Sequence, residues 1–196
     1  MTPFDYALGL LTILMGLALA DVAFSFHRLA VRAGTIRWDG RPLVAAALVL
    51  LECVRLWFGQ WTLRDSASAL TFPVYLGLFA QMLLLVLLAS ACLPDDPVDD
   101  SDLGAFYERR RRYFWALFAG YHILFFGFWL VFGATNANGT SPAGVIDWLR
   151  VLAPILCFSL LAAVRRPLLD YAIPLAFIFF YLARYWHSTL AVSGRF

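Results

Sequence analysis

Six apolar stretches occupy most of this 196-residue chain. Each is about 20 residues long, the length that an α-helix needs to cross a hydrocarbon core about 30 Å thick. They lie at 4–29, 42–63, 70–93, 113–134, 144–164 and 169–192. Hydrophobic residues make up 62% of the chain and charged residues only 14%, against about 25% in soluble domains. The pattern predicts an all-α, polytopic membrane helix bundle of six transmembrane helices in a single domain, with no nucleic-acid partner.

The basic residues indicate how such a bundle is oriented. All 15 are arginine, and they concentrate in alternate connections between the apolar stretches: Arg28, Arg32, Arg37 and Arg41, then Arg109 to Arg112, then Arg165 and Arg166. Because basic residues in short loops collect on the cytoplasmic side, both termini are predicted to face the periplasm or exterior. Arginine without lysine suggests a GC-rich genome, so we expect a bacterial inner (cytoplasmic) membrane.

Several polar residues lie deep inside the apolar stretches. Such groups cost about 2.5 to 3.5 kcal/mol each in a membrane and are retained where the protein interior receives them. At a rise of about 1.5 Å per residue, they fall into two layers, at about 12 to 15 Å and about 18 to 23 Å from the cytoplasmic end. The first layer holds Asp21, Glu52 and His122; the second holds Arg55, Gln81, Arg150 and Arg184.

Glu52 and Arg55 are three residues apart on one helix and can join the two layers. We interpret Asp21, Glu52, Arg55, Gln81, His122 and Arg184 as a candidate intramembrane polar site. Grouped carboxylates and an imidazole could exchange protons, and the arginines could receive an anionic group. The alternative is a neutralised pair that fixes helix packing and nothing more.

The two outermost arginines also have simpler interpretations. Arg150 could extend towards the interface or pair with Asp147, three residues away. Arg184 stands among Tyr181, Tyr185 and Trp186, which is typical of an aromatic belt near a membrane surface.

The longest connection, 94–112, carries acidic residues and then four consecutive arginines. Leu103 onward is predicted to be helical and to continue into the fourth apolar stretch. Arg109, Arg110, Arg111 and Arg112 are predicted to meet anionic lipids of the cytoplasmic leaflet, at about 1 kcal/mol per charge. A docking surface for a cytoplasmic partner is the alternative.

No pattern predicts a metal, a cofactor or a catalytic residue. Cys53, Cys92 and Cys157 are far apart and lack the spacing of a metal or redox site. The three histidines lie at about 3, 14 and 27 Å on the same depth scale, so no two of them match as axial haem ligands.

Two segments carry a resemblance. The first is Gly16-Leu17-Ala18-Leu19-Ala20-Asp21 ahead of His27-Arg28-Leu29; the second is Leu93-Pro94-Asp95-Asp96, Asp102-Leu103, Phe106-Tyr107 and Arg109 to Trp115. With these motifs the chain resembles a family of small multi-span bacterial inner-membrane proteins with no known activity. The resemblance implies six spans and a bacterial host, and no chemistry.

Three functions remain open from the sequence. The favoured one is a small transporter or channel whose path passes Asp21, Glu52, Arg55 and His122. The alternative is a non-catalytic membrane subunit, sensor or scaffold that binds a partner, or a second copy of the chain, through its helices or its arginine-rich loop. An intramembrane enzyme is the least favoured, since the sequence has no paired-aspartate metal motif, nucleophile elbow or zinc signature.

Overall fold

The computed structural model describes residues 3–62, 71–135 and 145–186, and these residues form six helices. Their bounds are α1 Pro3–Val31, α2 Gly40–Thr62, α3 Phe72–Cys92, α4 Leu103–Thr135, α5 Val145–Ala163 and α6 Pro167–Tyr185. No strand occurs in the described ranges, so the predicted all-α fold is confirmed. The end of the sixth predicted stretch, 187–192, lies outside these residues, as does 63–70 between α2 and α3.

Within the described residues, four helices are long and apolar enough to cross a membrane: Leu8–Val31, Gly40–Gly59, Phe72–Cys92 and Pro167–Tyr185. Their outer faces carry large apolar side chains, including Ile13, Phe24, Phe72 and Phe179, each more than half exposed. A water-soluble monomer rarely exposes so much contiguous apolar surface. The protein is therefore membrane-embedded.

Helix α2 is the centre of the bundle. It packs against α1, α3, α4 and α6, while α4 packs chiefly on α3 and α5. Its buried residues recur every three or four positions and so share one face: Ala45, Leu48, Val49, Glu52, Cys53 and Leu56. Glu52 is thus on the face of α2 that the other helices cover.

Helices α5 and α6 are neighbours in sequence but make little contact with each other. A short connection at 164–166 joins them, yet α5 packs on α4 and α6 packs on α2. An open seam therefore runs between α5 and α6 along the outside of the bundle.

Two connections meet at one end of the bundle, which we call the arginine-rich end: 32–39 between α1 and α2, and 93–102 between α3 and α4. Backbone bonds join Arg37 N to Ser101 O at 3.0 Å and Leu103 N to Arg37 O at 3.1 Å. The guanidinium groups of Arg28 and Arg32 donate to the carbonyls of Asp95 and Pro97. These bonds hold the ends of α1, α2, α3 and α4 together.

The start of α4 is fixed by Asp102, whose Oδ1 accepts from the backbone N–H of Ala105 at 2.9 Å. The next turn lies against the start of α2. A Cβ added at Gly104 would be 2.9 Å from Asp39 Oδ2, so a larger residue here would displace the Asp39 carboxylate. Leu103 begins the helix, as the sequence predicts.

Candidate functional site

Glu52 and Arg55 form an ion pair in the interior of the bundle. Arg55 Nε donates to Glu52 Oε2 at 2.7 Å, across the three-residue spacing of one helix. The Glu52 side chain is 0% exposed and that of Arg55 is 10% exposed. The charges on the central helix therefore face inward, and each neutralises the other.

Helix α4 adds two side chains, Tyr121 and His122. The Tyr121 hydroxyl lies 3.4 Å from Arg55 Nη2, from which it accepts, and 3.4 Å from Glu52 Oε2, to which it donates. His122 Nε2 lies 3.5 Å from Glu52 Oε1. We call Glu52, Arg55, Tyr121 and His122 the Glu52 cluster.

Hydrogen bonding in the Glu52 cluster is incomplete. Glu52 Oε1 and His122 Nε2 are within ion-pair distance, but the geometry of a hydrogen bond is absent and both atoms are buried without a hydrogen-bond partner. In the described part of the chain, the one other such side-chain atom is Gln81 Nε2, on α3. Buried polar atoms without partners are rare in proteins and call for an explanation.

Aromatic rings enclose the imidazole of His122. Its ring stacks on Phe118 with centroids 5.2 Å apart and an interplanar angle of 18°. The Phe158 ring from α5 lies at 5.0 Å. On its other edge, His122 Nδ1 lies 3.0 Å from the Phe118 carbonyl oxygen. The position of the imidazole is therefore fixed by α4 and α5 together.

Aromatic rings also enclose the guanidinium of Arg55. Its Cζ lies 4.7 Å from the Phe125 centroid and 5.5 Å from the Tyr181 centroid. Tyr181 belongs to α6, so the last helix also contributes to the site. The negative faces of these rings favour a cation and replace part of its lost hydration.

A groove of about 400 Å³ runs along the seam between α5 and α6. It is almost entirely apolar, and its lining consists of Leu149, Ala153, Pro154, Ala176, Phe177, Phe180 and Tyr181. Because the Tyr181 ring also lies against Arg55, this side chain borders both the groove and the Glu52 cluster.

The structure brings Glu52, Arg55 and His122 together, as the depth sorting predicts. It does not bring Asp21 to them: this carboxyl group interacts with Asp95 and Arg28 near the arginine-rich end. Asp95 accepts a hydrogen bond from Ser25, one turn after Asp21 on α1, so Asp21 lies about one turn from the 93–102 connection.

Arg184 and Gln81 also belong to the predicted second layer, and their surroundings differ from those of Arg55. Arg184 is exposed in the last turn of α6, in keeping with the aromatic-belt interpretation. Gln81 is buried in α3 and stays a candidate through its unpartnered Nε2. The side chain of Arg150 lies outside the described residues.

A second buried ion pair joins α4 to α6. Arg111 Nε lies 3.0 Å from both carboxylate oxygens of Asp170, and each side chain is 2% exposed. Arg111 Nη2 also donates to the Val164 carbonyl. We call these two residues the Arg111 pair.

The Arg111 pair corrects one sequence prediction. Arg111 was expected on a lipid or partner surface with its three neighbours, yet it is buried, because on a helix only some of four consecutive residues can face outward. Arg109, Arg110 and Arg112 are exposed. Arg110 covers the Phe106 ring at 5.2 Å.

A third arginine pair lies at the start of α2. Arg41 donates through Nε and Nη2 to Asp39, at 3.1 Å and 2.7 Å, and through Nη1 to Glu108 on α4. Tyr171 on α6 donates to Asp39 Oδ1 at 3.4 Å. Hydrogen bonds from Arg41 hold the pKa of the Asp39 carboxyl below its usual value. This group ties the starts of α2 and α6 to α4 at the arginine-rich end.

Sequence reasoning missed Tyr121 and Tyr181. A signal for Tyr121 exists, since it adjoins His122 and a buried tyrosine hydroxyl needs a hydrogen-bond partner. Tyr181 was assigned to an interfacial belt because it neighbours Tyr185 and Trp186. Its burial beside Arg55 depends on α6 packing against α2, which the sequence does not show.

No family model, curated protein or solved structure matches the chain. Among residues 3–62, 71–135 and 145–186, no three His, Cys, Asp or Glu side chains are grouped as metal ligands would be.

Proposed function

We propose that all six helices cross a bacterial inner membrane, with both termini on the outer side. The four long apolar helices support the membrane location. The arginine-rich end supports the orientation, because arginines in short connections favour the cytoplasmic side. In this orientation the exposed Arg109, Arg110 and Arg112 meet anionic lipid headgroups.

We propose further that the protein is a small transporter or channel whose path passes the Glu52 cluster. The observation that carries this proposal is the facing of two buried, unpartnered polar atoms, Glu52 Oε1 and His122 Nε2, at 3.5 Å. A cluster retained only for packing gains stability by completing its hydrogen bonds. Ionisable groups inside a membrane bundle commonly mark an ion or substrate pathway.

The seam between α5 and α6 supports a path to this cluster. Its groove reaches Tyr181, whose other side contacts Arg55. A modest movement of α6 relative to α5 suffices to open the groove towards the cluster, since these helices make little contact. The pathway therefore needs no break in the tightly packed helices around α2.

Flux measurements in liposomes test the proposal. Purified protein is reconstituted with entrapped voltage-sensitive and pH-sensitive dyes, and gradients of H⁺, Na⁺, K⁺ and Cl⁻ are applied one at a time. We expect at least one gradient to dissipate faster than in empty liposomes. Glu52→Gln should slow that flux at least about tenfold, the effect of about 1.4 kcal/mol at a single site.

The matched control is Asp21→Asn, which removes a carboxylate from α1 without touching the Glu52 cluster. It should leave the flux within about twofold of the wild type, a difference of about 0.4 kcal/mol. Flux that Glu52→Gln leaves unchanged, with the protein folded, contradicts the proposal.

A second candidate function, a non-catalytic subunit or scaffold, is favoured by the exposure of Arg109, Arg110 and Arg112 on one end of α4. It predicts a stoichiometric protein partner in mild detergent extracts. Replacing these three arginines with glutamine should release that partner, whereas Glu52→Gln should retain it. Recovery of the chain without any partner contradicts this candidate.

A further inference from the structure

The hydrogen bond of His122 Nδ1 fixes where one imidazole hydrogen must be. Nδ1 lies 3.0 Å from the carbonyl oxygen of Phe118, one turn earlier on α4. A carbonyl oxygen only accepts hydrogen bonds, so Nδ1 carries the hydrogen. In a neutral imidazole the other nitrogen, Nε2, is then an acceptor with a bare lone pair.

That lone pair faces another acceptor. Nε2 lies 3.5 Å from Glu52 Oε1, and neither atom has a hydrogen-bond partner. An ionised carboxylate has no hydrogen to donate, so without an added proton the two atoms repel each other in a buried, low-dielectric setting. One hydrogen between them converts this repulsion into a charge-assisted hydrogen bond.

We propose that Glu52 Oε1 and His122 Nε2 bind a single exchangeable proton, and that this proton is the ion the protein moves. The second part rests on the proposed function and names its ion; the first part is independent of transport. A proton fits the space between the two atoms, and Na⁺ or K⁺ does not, because a metal ion needs several oxygen ligands and this gap offers one.

The charges around the pair place the proton on Nε2. Arg55 and Tyr121 both donate towards Glu52 Oε2, so the carboxylate already accepts two hydrogen bonds, whereas His122 Nε2 accepts none. The rings of Phe118 and Phe158 lie against the imidazole and favour its cationic form. With the proton bound, the Glu52 cluster carries one carboxylate and two cations, Arg55 and His122. After the proton is released, it carries one carboxylate and one cation, Arg55.

The titratable groups that interact with Glu52 and His122 are Arg55 and Cys53 from α2, Tyr121 from α4 and Tyr181 from α6. On α1, Asp21 interacts instead with Asp95 and Arg28. The buried polar side chain of α3, Gln81, does not titrate, and α5 places the apolar Phe158 ring against His122. Proton exchange at the pair is therefore governed by Glu52, Arg55 and His122.

Release breaks the Nε2–H bond and leaves its electron pair on nitrogen, while the proton passes to a water molecule as hydronium. The cluster changes from one net positive charge to none, so charge and atoms balance. A buried site with one unpaired positive charge is costly. This cost favours release, and the repulsion between the bare acceptors favours rebinding.

Nitrogen-15 NMR of the full chain in lipid bilayers tests the assignment directly. With ¹⁵N-labelled histidine, the His122 signals are identified by their loss in His122→Gln. Spectra are recorded from about pH 5 to about pH 8. We expect Nδ1 to keep its hydrogen throughout, and the hydrogen on Nε2 to be the one that exchanges as the pH changes.

Variants define what controls that titration. In Glu52→Gln the amide N–H can donate to Nε2, so Nε2 should carry no hydrogen at any pH in this range. Asp21→Asn should titrate like the wild type. A hydrogen missing from Nδ1, or an Nε2 that does not change across the range, overturns the proposal.

A measurement on the unaltered protein covers the case in which Glu52→Gln fails to fold. Infrared difference spectra between the two pH values should show imidazole bands that change together with the Glu52 carboxylate stretch. Spectra without any such change overturn the proton site. Proton exchange without flux in liposomes contradicts the transport function alone, and flux of another ion without proton exchange contradicts this inference alone.

Discussion

The Glu52 cluster and the Arg111 pair are both buried arginine–carboxylate contacts, yet they differ in how completely they are satisfied. Arg111 contacts both Asp170 oxygens and the Val164 carbonyl, and neither side chain has a buried polar atom without a partner. Arg55 contacts only one oxygen of Glu52. The other oxygen faces His122 Nε2 with no hydrogen bond between them.

This difference separates two roles for the same chemistry. Complete pairing repays the desolvation of both charges and fixes α4 against α6. Incomplete pairing leaves an acceptor open to a ligand, here a proton, at a cost in stability. A buried ion pair is thus informative through its unsatisfied atoms rather than through its presence.

The largest effect is expected from a substitution that breaks the Arg111 pair. Asp170→Asn leaves the Arg111 guanidinium buried beside a neutral amide, which should lower the free energy of unfolding by about 3 to 5 kcal/mol. SDS titration in mixed micelles, followed by tryptophan fluorescence, measures it.

The neighbouring Arg112→Gln is the control and should change the free energy of unfolding by less than about 0.5 kcal/mol, since Arg112 is exposed. Replacing both members, as Arg111→Met with Asp170→Leu, should recover most of the loss. If Asp170→Asn lowers the free energy of unfolding only slightly, the structural role of the Arg111 pair is contradicted.

A smaller effect of opposite sign is expected at Gln81, whose Nε2 is unpartnered but belongs to neither pair. Gln81→Leu removes a buried donor without a partner and should raise the free energy of unfolding by about 1 to 2 kcal/mol. The same SDS titration, run beside the liposome flux, shows whether this residue serves stability or the pathway. A fall in stability shows that Gln81 has a partner in the folded protein.

At about pH 5, where His122 holds the proton, Glu52→Gln should cost less stability than Asp170→Asn, about 1 kcal/mol. At that pH the loss of the carboxylate charge is offset by loss of the proton from His122, and the rings of Phe125 and Tyr181 still face the Arg55 guanidinium. A substitution in the Glu52 cluster should therefore reduce flux with little loss of stability, whereas a substitution in the Arg111 pair should affect function through the loss of stability. Equal unfolding losses in Glu52→Gln and Asp170→Asn contradict the comparison.

The smallest effect concerns the partly exposed third pair, Asp39 with Arg41. Because the folded pKa of Asp39 is below its usual value of about 3.9, its contribution is complete above that value and is lost as pH falls through the lower folded pKa. Below about pH 4 we expect faster hydrogen exchange in the 32–39 connection, measured by mass spectrometry.

Asp39→Asn should show that faster exchange already at neutral pH. Asp96→Asn, a change at a side chain that is 97% exposed, is the matched control. Exchange that is insensitive to both acid and Asp39→Asn would show that Asp39 does not hold the connection in place.

Much of the fold follows from the sequence, because the length of an apolar stretch and the residues that begin and end a helix are local properties of the chain. The six helices, and the start of α4 at Leu103, are predicted within a few residues of their observed bounds. The Glu52 and Arg55 contact follows from their three-residue spacing. His122 follows from depth, since α4 passes the same level of the bundle.

The remaining features depend on how each helix is rotated about its axis and which helix it packs on. Asp21 lies near the arginine-rich end, beside Asp95 and Arg28, and not beside Glu52. The sequence pattern predicts Arg111 as a surface residue and Tyr181 as an interfacial one, whereas in the structure α6 brings Asp170 to Arg111 and Tyr181 to Arg55. Apolar faces towards lipid and towards protein look alike in sequence, so rotation is not encoded by hydropathy.

The three-residue spacing of Glu52 and Arg55 also bears on how the chain is made. Translation produces α2 before α4 and α6, so its two charges leave the ribosome before Tyr121, His122 and Tyr181 exist to surround them. Lying on the same helix face, the carboxylate and the guanidinium can neutralise each other from the start. The nascent helix thus enters the membrane without waiting for a partner, and the histidine that completes the cluster arrives afterwards.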